Sequence, residues 1–166
     1  SLPDDDLVQR LLDKLTFQEL AEQLGSPIPR ALRIGRNTDP STLSSLRYPC
    51  VLKAAIKTAE FGKRFRKAYR VSNPGEVIDL WHQMQELAPE MILQEWIEGG
   101  DTDVYFCLQY RPSDGREATS FVGRKLMQWP PLVGGTATCV PAPEVKEELI
   151  ALTEQFFSAV GFIGLC

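Results

Sequence analysis

The sequence predicts an α+β protein made of two small lobes. Its predicted elements come in the order of helices, then alternating strands and helices, then hairpin strands with a helix. The 166 residues suffice for one ordinary domain or two small lobes with a normal core. No internal repeat, low-complexity tract or glycine/serine linker interrupts them. We predict an N-terminal helical segment over residues 1–30, one lobe over 31–96 and a second over 97–166.

The first part of the chain predicts two helices and a strand. Apolar residues at helical spacing predict the first helix over residues 4–14. Thr16, followed three residues later by Glu19, is typical of the start of a second helix, which Gly25 ends. Two prolines then extend the chain, and the alternation in PRALRI, residues 29–34, predicts a strand.

The most unusual stretch of the chain is its cationic segment, residues 53–70. A short apolar run over residues 48–52 predicts a buried strand that ends at Lys53. From Lys53 to Arg70 there are seven cationic side chains and one acidic one, a net charge of +6 in a chain whose net charge is −4. We expect a loop here. Three interpretations remain open: a solvated loop, an anion-binding site, and a cationic helix face or nucleic-acid surface.

The remaining chain supplies further strands and helices. Asn73 and Pro74 predict the start of a helix. Pro112 to Gly115 is a strong turn signal, so the strands on either side of it predict an antiparallel hairpin. The predicted elements are a short helix over residues 39–46, strands over 69–71, 91–96, 104–110, 119–127 and 137–140, a helix from Glu144, and a strand in the last six residues, GFIGLC.

Composition excludes several classes of protein. Hydrophobic residues at 43% and charged residues at 24% are typical of soluble domains, and no apolar run approaches the roughly 20 residues of a membrane span. The acidic N-terminus lacks the apolar core of a signal peptide. Four scattered cysteines form no zinc or redox motif, so we expect buried thiols and a cytoplasmic location.

Four segments, in this order, resemble an ATP-grasp nucleotide-binding domain of the carboxylate–amine ligase and carbamoyl-phosphate synthetase type. They are LLDKLTFQELAEQLGSPIP, YPCVLKAAIK, ILQEWIEGGDTD and FVGRKLMQWPPLVGGTAT. The likeness covers about residues 10 to 166, and it rests on the ordered set because no single motif is specific. It implies an α+β ATP-grasp fold of two small lobes with antiparallel sheets. Because the chain ends in mid-strand, we expect that fold to be C-terminally incomplete.

The resemblance implies phosphate-binding roles for three lysines, in a family where ATP lies between the two lobes. Lys14 matches a lysine at the small-lobe helix region that reaches the phosphates. Lys53 matches a lysine or arginine that contacts the α- and β-phosphates, a task suited to a compact ammonium group. Lys125 matches a strand lysine that points towards the terminal phosphate in some members. From the residues alone, Lys14 also fits a cation ending the first helix, and Lys53 an exposed strand end.

The resemblance also implies residues for the adenine and the ribose. The segment between the lobes is expected to pair its backbone with the adenine edge, and it contains Gln94, Glu95, Trp96 and Ile97. Glu95 is expected to help receive the exocyclic amine of adenine. An acidic residue shortly afterwards typically binds the ribose hydroxyls, and both Asp101 and Asp103 are within range. Each of these acids also fits an ordinary solvated turn.

The sequence departs from the family pattern at two places. Ala54 follows Lys53 where a proline is usual, and the next loop contains Gly62 alone among bulky cations instead of several small residues. We expect side-chain charge to replace backbone amides around the phosphates, with Phe61 and Phe65 as apolar anchors. The family's Mg²⁺ ligands, a glutamate and a Glu-x-Asn pair, would follow GFIGL, so Mg²⁺ is expected only for the full-length protein.

The resemblance implies the nucleotide-binding part of a ligase. Such an enzyme activates an unknown carboxylate with ATP as an acyl phosphate and couples it to an amine or thiol. The given part is expected to be inactive by itself, with its own N- and C-terminal parts missing. One alternative is a degenerate regulatory or partner-binding domain. Another is a polyanion or nucleic-acid binder through residues 53–70, which the net charge of −4 disfavours.

Overall fold

Two four-stranded antiparallel sheets form the framework of the chain, one in each of two compact units. The structure, a computed structural model, describes residues 3–131 and 134–166. The Lys53 unit consists of residues 10–23 and 27–97, and the hairpin unit of the chain up to Gln9, residues 24–26 and residues 98–166. Leu132 and Val133, within the fourth segment of the resemblance, lie outside the described residues.

The sheet of the Lys53 unit has the strand order β1-β4-β2-β3. Its strands are β1 (Ala31–Ile34), β2 (Cys50–Ala54), β3 (Tyr69–Val71) and β4 (Met91–Glu95). The helices of this part of the chain are α1 (Asp5–Leu12), α2 (Lys14–Gln23), α3 (Ala59–Arg64) and α4 (Pro74–Met84). The first residues of α1 belong to the other unit. A 3₁₀ helix covers Pro40–Ser45. In the register of β2 with β4, Cys50 stands opposite Glu95 and Lys53 opposite Ile92. Strands distant in sequence therefore become neighbours.

The core of the Lys53 unit lies on one face of this sheet. Buried side chains from the strands pack there with residues of α3, α4 and the 3₁₀ helix; they include Leu52, Val71, Leu93, Phe61, Val77 and Met84. The opposite face carries a smaller cluster, in which Leu15 of α2 packs with Ala55 and Ile92. Because the strand side chains alternate between these faces, the second face leaves space for polar side chains of β2 and β4.

The hairpin unit has the strand order β7-β6-β5-β8. Its elements are β5 (Tyr105–Arg111), β6 (Thr119–Trp129), β7 (Gly135–Pro141), α5 (Lys146–Ala159) and β8 (Gly164–Leu165), with 3₁₀ turns at Asp101–Asp103 and Pro143–Val145. The predicted hairpin is confirmed as β5 and β6. Arg111 of β5 fastens α5 to the sheet, since its guanidinium lies 2.8 Å from the carboxylate of Glu154 and donates to Ser158 Oγ at 2.7 Å.

Several predicted boundaries are wrong for identifiable reasons. The expected loop after Lys53 contains α3, which starts where the Thr58 hydroxyl accepts the Phe61 amide proton. The second helix begins at Lys14, not at Thr16, because the Asp13 carboxylate accepts the Leu15 amide proton at 2.8 Å.

Among the cysteines, only Cys50 is buried, and Cys139 is exposed. No helix in the described ranges is both long and apolar enough for a membrane span.

Candidate nucleotide-binding site

Lys53 lies on the face of the sheet opposite to the main core. Its neighbours Leu52 and Ala54 are buried in that core, so strand alternation directs Lys53 to the other face. Its Nζ donates a hydrogen bond to Oε1 of Gln94 at 2.9 Å. Gln94 pairs with Val51 across the two strands, which makes Lys53 its diagonal neighbour on the same face. The structure therefore places the ammonium group beside β4, the strand that leads into the predicted adenine segment.

A chain of amide hydrogen bonds fixes the orientation of Gln94. Its Nε2 donates to Oε1 of Gln18 at 3.2 Å, and Nε2 of Gln18 donates to Glu22 Oε1 at 2.9 Å and to the Pro29 carbonyl at 3.0 Å. Because the amide nitrogen of Gln94 is engaged by Gln18, its oxygen is turned towards Lys53. Gln18 was missed at the sequence level. The available signal was a glutamine at helical spacing from Leu15 and Ala21, the apolar residues of α2 that are buried with it.

Lys14 is held at the same end of the sheet as Lys53. It is the first residue of α2 and lies two residues beyond the end of α1. Both its backbone amide and its Nζ donate to the carbonyl of Ala55, at 3.2 and 3.1 Å. Ala55 follows β2 directly and lies two residues beyond Lys53. The structure therefore brings the two predicted phosphate-binding lysines of this unit to the exit of one strand.

Both ammonium groups have a lowered affinity for protons. Burial, together with the charges of Lys14 and Lys67, lowers the pKa of Lys53 from 10.5 to about 8. Burial also lowers the pKa of Lys14, with Asp13 acting in the opposite direction. Within residues 3–131 and 134–166, neither ammonium forms an ion pair with a carboxylate. Partly buried cations without a paired acid are costly to the fold, and an anionic ligand would remove that cost.

The lowered pKa of Lys53 predicts that stability rises with pH. Between pH 8 and 10.5 the unfolded chain binds more protons than the folded one, so the free energy of unfolding increases. Above pH 9 the Cys50 thiol, whose pKa burial raises from 9.0 to about 11, acts in the opposite direction. Urea unfolding at pH 7.5 and pH 9 should therefore show a gain of about 1 kcal/mol. In Lys53→Met this gain should shrink to the contribution of Lys14, whose pKa burial also lowers, and an unchanged gain would assign it to groups other than Lys53.

The predicted adenine segment leaves β4 with its first amides already paired. The amide of Glu95 donates to the Arg30 carbonyl at 2.9 Å, and that of Trp96 donates to the Pro49 carbonyl at 3.0 Å. Oε1 of Glu95 accepts the Arg47 amide proton at 2.9 Å. Ile97 is 72% exposed, and its amide has no hydrogen bond within the described part of the chain. The backbone groups available to an adenine edge are therefore those at the end of the segment.

The other predicted residues belong to the hairpin unit, where Gln128 connects two of them. Oδ2 and Oδ1 of Asp101 accept the backbone and side-chain amide protons of Gln128, at 2.7 and 2.9 Å. Oε1 of Gln128 accepts from Nζ of Lys125 at 3.1 Å. Oδ2 of Asp103 accepts the Gly100 amide proton at 2.7 Å, within a tight turn. Asp101 and Lys125 are thus brought together, and Asp103 has a local bond that an ordinary turn residue would also make.

Comparison with known proteins gives one curated relative. No family model matches the chain. The chain is 22% identical over 170 residues to the D-aspartate ligase of Enterococcus faecium (strain Aus0004). The match covers 97% of this chain and 40% of the ligase. The chain thus spans well under half the length of this relative.

Solved structures match nearly the whole chain. The D-alanine-D-alanine ligase from Coxiella burnetii superposes with a TM-score of 0.72 at 10% identity, over 98% of this chain and 44% of that one. The ADP complex of purK, N5-carboxyaminoimidazole ribonucleotide synthetase, superposes with a TM-score of 0.70 at 16% identity, over 96% of this chain and 40% of that one. Together with the two antiparallel sheets, these matches confirm that the chain has the ATP-grasp fold.

Proposed function

We propose that this chain is the nucleotide-binding part of an ATP-dependent ligase that activates a carboxylate. The observation that carries the proposal is the pair of partly buried ammonium groups, Lys14 and Lys53, at the exit of β2. Their shared position suits the oxygens of a polyphosphate. The similar proteins support the same chemistry, since their names describe ligases and a synthetase, one of them solved with ADP.

In the proposed reaction, a carboxylate oxygen attacks the γ-phosphorus of ATP and ADP leaves. The nitrogen or sulfur of the acceptor then attacks the acyl carbon, phosphate leaves, and the acceptor loses one proton. Lys14 and Lys53 hold phosphate oxygens and offset their charge, which is the main task of a protein in phosphoryl transfer. The carboxylate and the acceptor would be bound by residues that this sequence does not identify.

Further residues have proposed nucleotide contacts. The segment from Gln94 to Ile97 would bind the adenine edge, where Glu95 and the free backbone groups discriminate a purine amine from a purine carbonyl. Asp101 or Asp103 would accept from the ribose hydroxyls, because carboxylate oxygens accept hydrogen bonds from hydroxyl groups. Lys125 would contact the terminal phosphate.

Titration calorimetry with purified protein tests this proposal. We expect saturable binding of one ATP per chain, at least about tenfold tighter than binding of GTP, because guanine presents a carbonyl where adenine presents an amine. Inorganic tripolyphosphate should compete with ATP, since it offers the same anionic oxygens to the lysines. Absence of saturable ATP binding at millimolar concentration would contradict the proposal.

A further inference from the structure

We propose that the phosphate site of this chain takes the metal-free polyphosphate anion of a nucleotide, with Lys57 and Lys67 as additional phosphate-binding residues. This inference rests on the proposed function and deepens it, because it specifies the ionic form of the ligand. It follows from the position of four lysines around the exit of β2, from the lack of ion pairs to them among the described residues, and from the chemistry of the groups that surround them.

Lys57 lies against α3 at the one position of that helix that has no side chain. Its Cε is 3.0 Å and its Nζ 3.6 Å from the point that a Cβ on Gly62 would occupy. A larger residue at position 62 would therefore have to displace the lysine stem. The single glycine of the cationic segment thus leaves room for a lysine to lie across α3, whereas the family pattern uses glycine and other small residues there to expose backbone amides.

Lys67 is placed at the same exit by the pairing of β2 with β3. Tyr69 stands opposite Leu52 in this antiparallel pair, so the chain two residues before Tyr69 runs beside the end of β2 at Ala54. The charge of Lys67 lowers the pKa of both Lys14 and Lys53, and the charge of Lys57 lowers that of Lys14. Pairing and electrostatics both locate Lys67 with the other lysines.

The charges of these groups match an anion that carries no metal. In the ranges 3–131 and 134–166, none of the four lysines forms an ion pair with a carboxylate. The acid nearest in sequence, Asp13, accepts a backbone amide proton within α2. A free triphosphate carries about four negative charges near neutral pH, and a bound divalent cation halves that charge. Four ammonium groups therefore complement the free anion better than the metal complex.

Among the described residues, the side chains at the exit of β2 do not themselves offer the oxygen ligands of a Mg²⁺ ion. Hard divalent cations are held by carboxylate and carbonyl oxygens, whereas the side chains at the exit of β2 present ammonium groups. Across the described parts of the chain, no three His, Cys, Asp or Glu side chains converge to hold a metal ion. We therefore assign to this chain a binding step that does not depend on a metal.

Calorimetry of ATP binding in two buffers tests the inference, one with excess chelator and one with excess MgCl₂ at the same ionic strength. We expect the dissociation constant in chelator to be equal to that in MgCl₂ or up to about tenfold smaller. A larger dissociation constant in chelator would overturn the inference while leaving the proposed function intact. If ATP bound in neither buffer, the proposed function would be refuted, and the inference with it.

Charge-removing variants test the two added lysines. Lys57→Gln and Lys67→Gln should each weaken ATP binding in chelator by about three- to tenfold. The matched control is Lys63→Gln, which removes the same charge from an exposed position of α3 and should change the affinity by less than about twofold. Thermal unfolding would verify that each variant is folded. If all three substitutions weakened binding equally, the effect would come from the overall charge of the cationic segment. Lys57 and Lys67 would then have no specific place in the site.

Discussion

Replacing Lys53 by methionine should weaken ATP binding by about 10- to 100-fold. The substitution keeps an unbranched side chain that fits beside Gln94 but removes the ammonium group that would donate to phosphate oxygens. A hydrogen bond to a charged group contributes about 1.5–3 kcal/mol when it is lost from a partly buried site, and each 1.4 kcal/mol corresponds to a factor of ten. Calorimetric titration of both proteins with ATP gives the measurement directly.

The same substitution should leave the fold at least as stable as the native one at pH 7. The ammonium of Lys53 is partly removed from water and its pKa is lowered to about 8, so the charged form costs free energy in the folded chain. Methionine does not carry this cost. A variant that is equally or more stable but binds ATP poorly would show that the lysine serves binding and not folding.

Lys63→Met provides the matched control for this experiment. It removes one lysine charge from the same cationic segment at an exposed helical position, where we expect little change in affinity or stability. Equal affinities of Lys53→Met and the native protein would remove Lys53 from the site. A loss of affinity as large in Lys63→Met would indicate attraction by the whole cationic segment, which is the polyanion interpretation.

Local patterns predicted the elements that bring Lys53 to the site. A short apolar run predicted β2 and turn residues predicted the hairpin. The Asn73-Pro74 pair predicted the start of α4, where the Asn73 side chain accepts the Glu76 amide proton. These features depend on neighbours within a few residues. The contact of Lys53 with Gln94 joins positions 41 residues apart. It depends on the strand order β1-β4-β2-β3, which no local signal specifies.

The missed features have the same physical origin. The capping pattern at Thr16 predicted a helix start that is two residues too late. The Asp13 carboxylate precedes the first turn of α2 and accepts an amide proton there instead. Gln18 was not singled out at the sequence level, and it is 7% exposed because α2 packs on the sheet. The bonds of Asp101 with Gln128 join residues 27 positions apart, so no local signal separates Asp101 from Asp103, and only the fold distinguishes their surroundings.

Phe61→Ala should lower the free energy of unfolding by about 3–5 kcal/mol, the largest change that we expect from a single substitution in the cationic segment. Phe61 is 1% exposed and belongs to the main core of the Lys53 unit. Its ring lies 5.2 Å from that of Phe65, which is only partly buried. Truncation of a buried phenylalanine removes its apolar contacts and leaves a cavity that rigid neighbours fill incompletely. Denaturant unfolding followed by circular dichroism measures the loss.

Phe65→Ala is the comparison for this prediction, because it removes an equal side chain four residues later, just beyond the end of α3. Its partial burial predicts a cost of about 1–2 kcal/mol. Phe61→Ala should also weaken ATP binding, since Phe61 fixes the helix against which Lys57 lies at Gly62. Phe61→Leu should restore most of the stability and the affinity together. If Phe61→Ala lost stability but kept its ATP affinity, α3 would be a structural anchor that does not position Lys57.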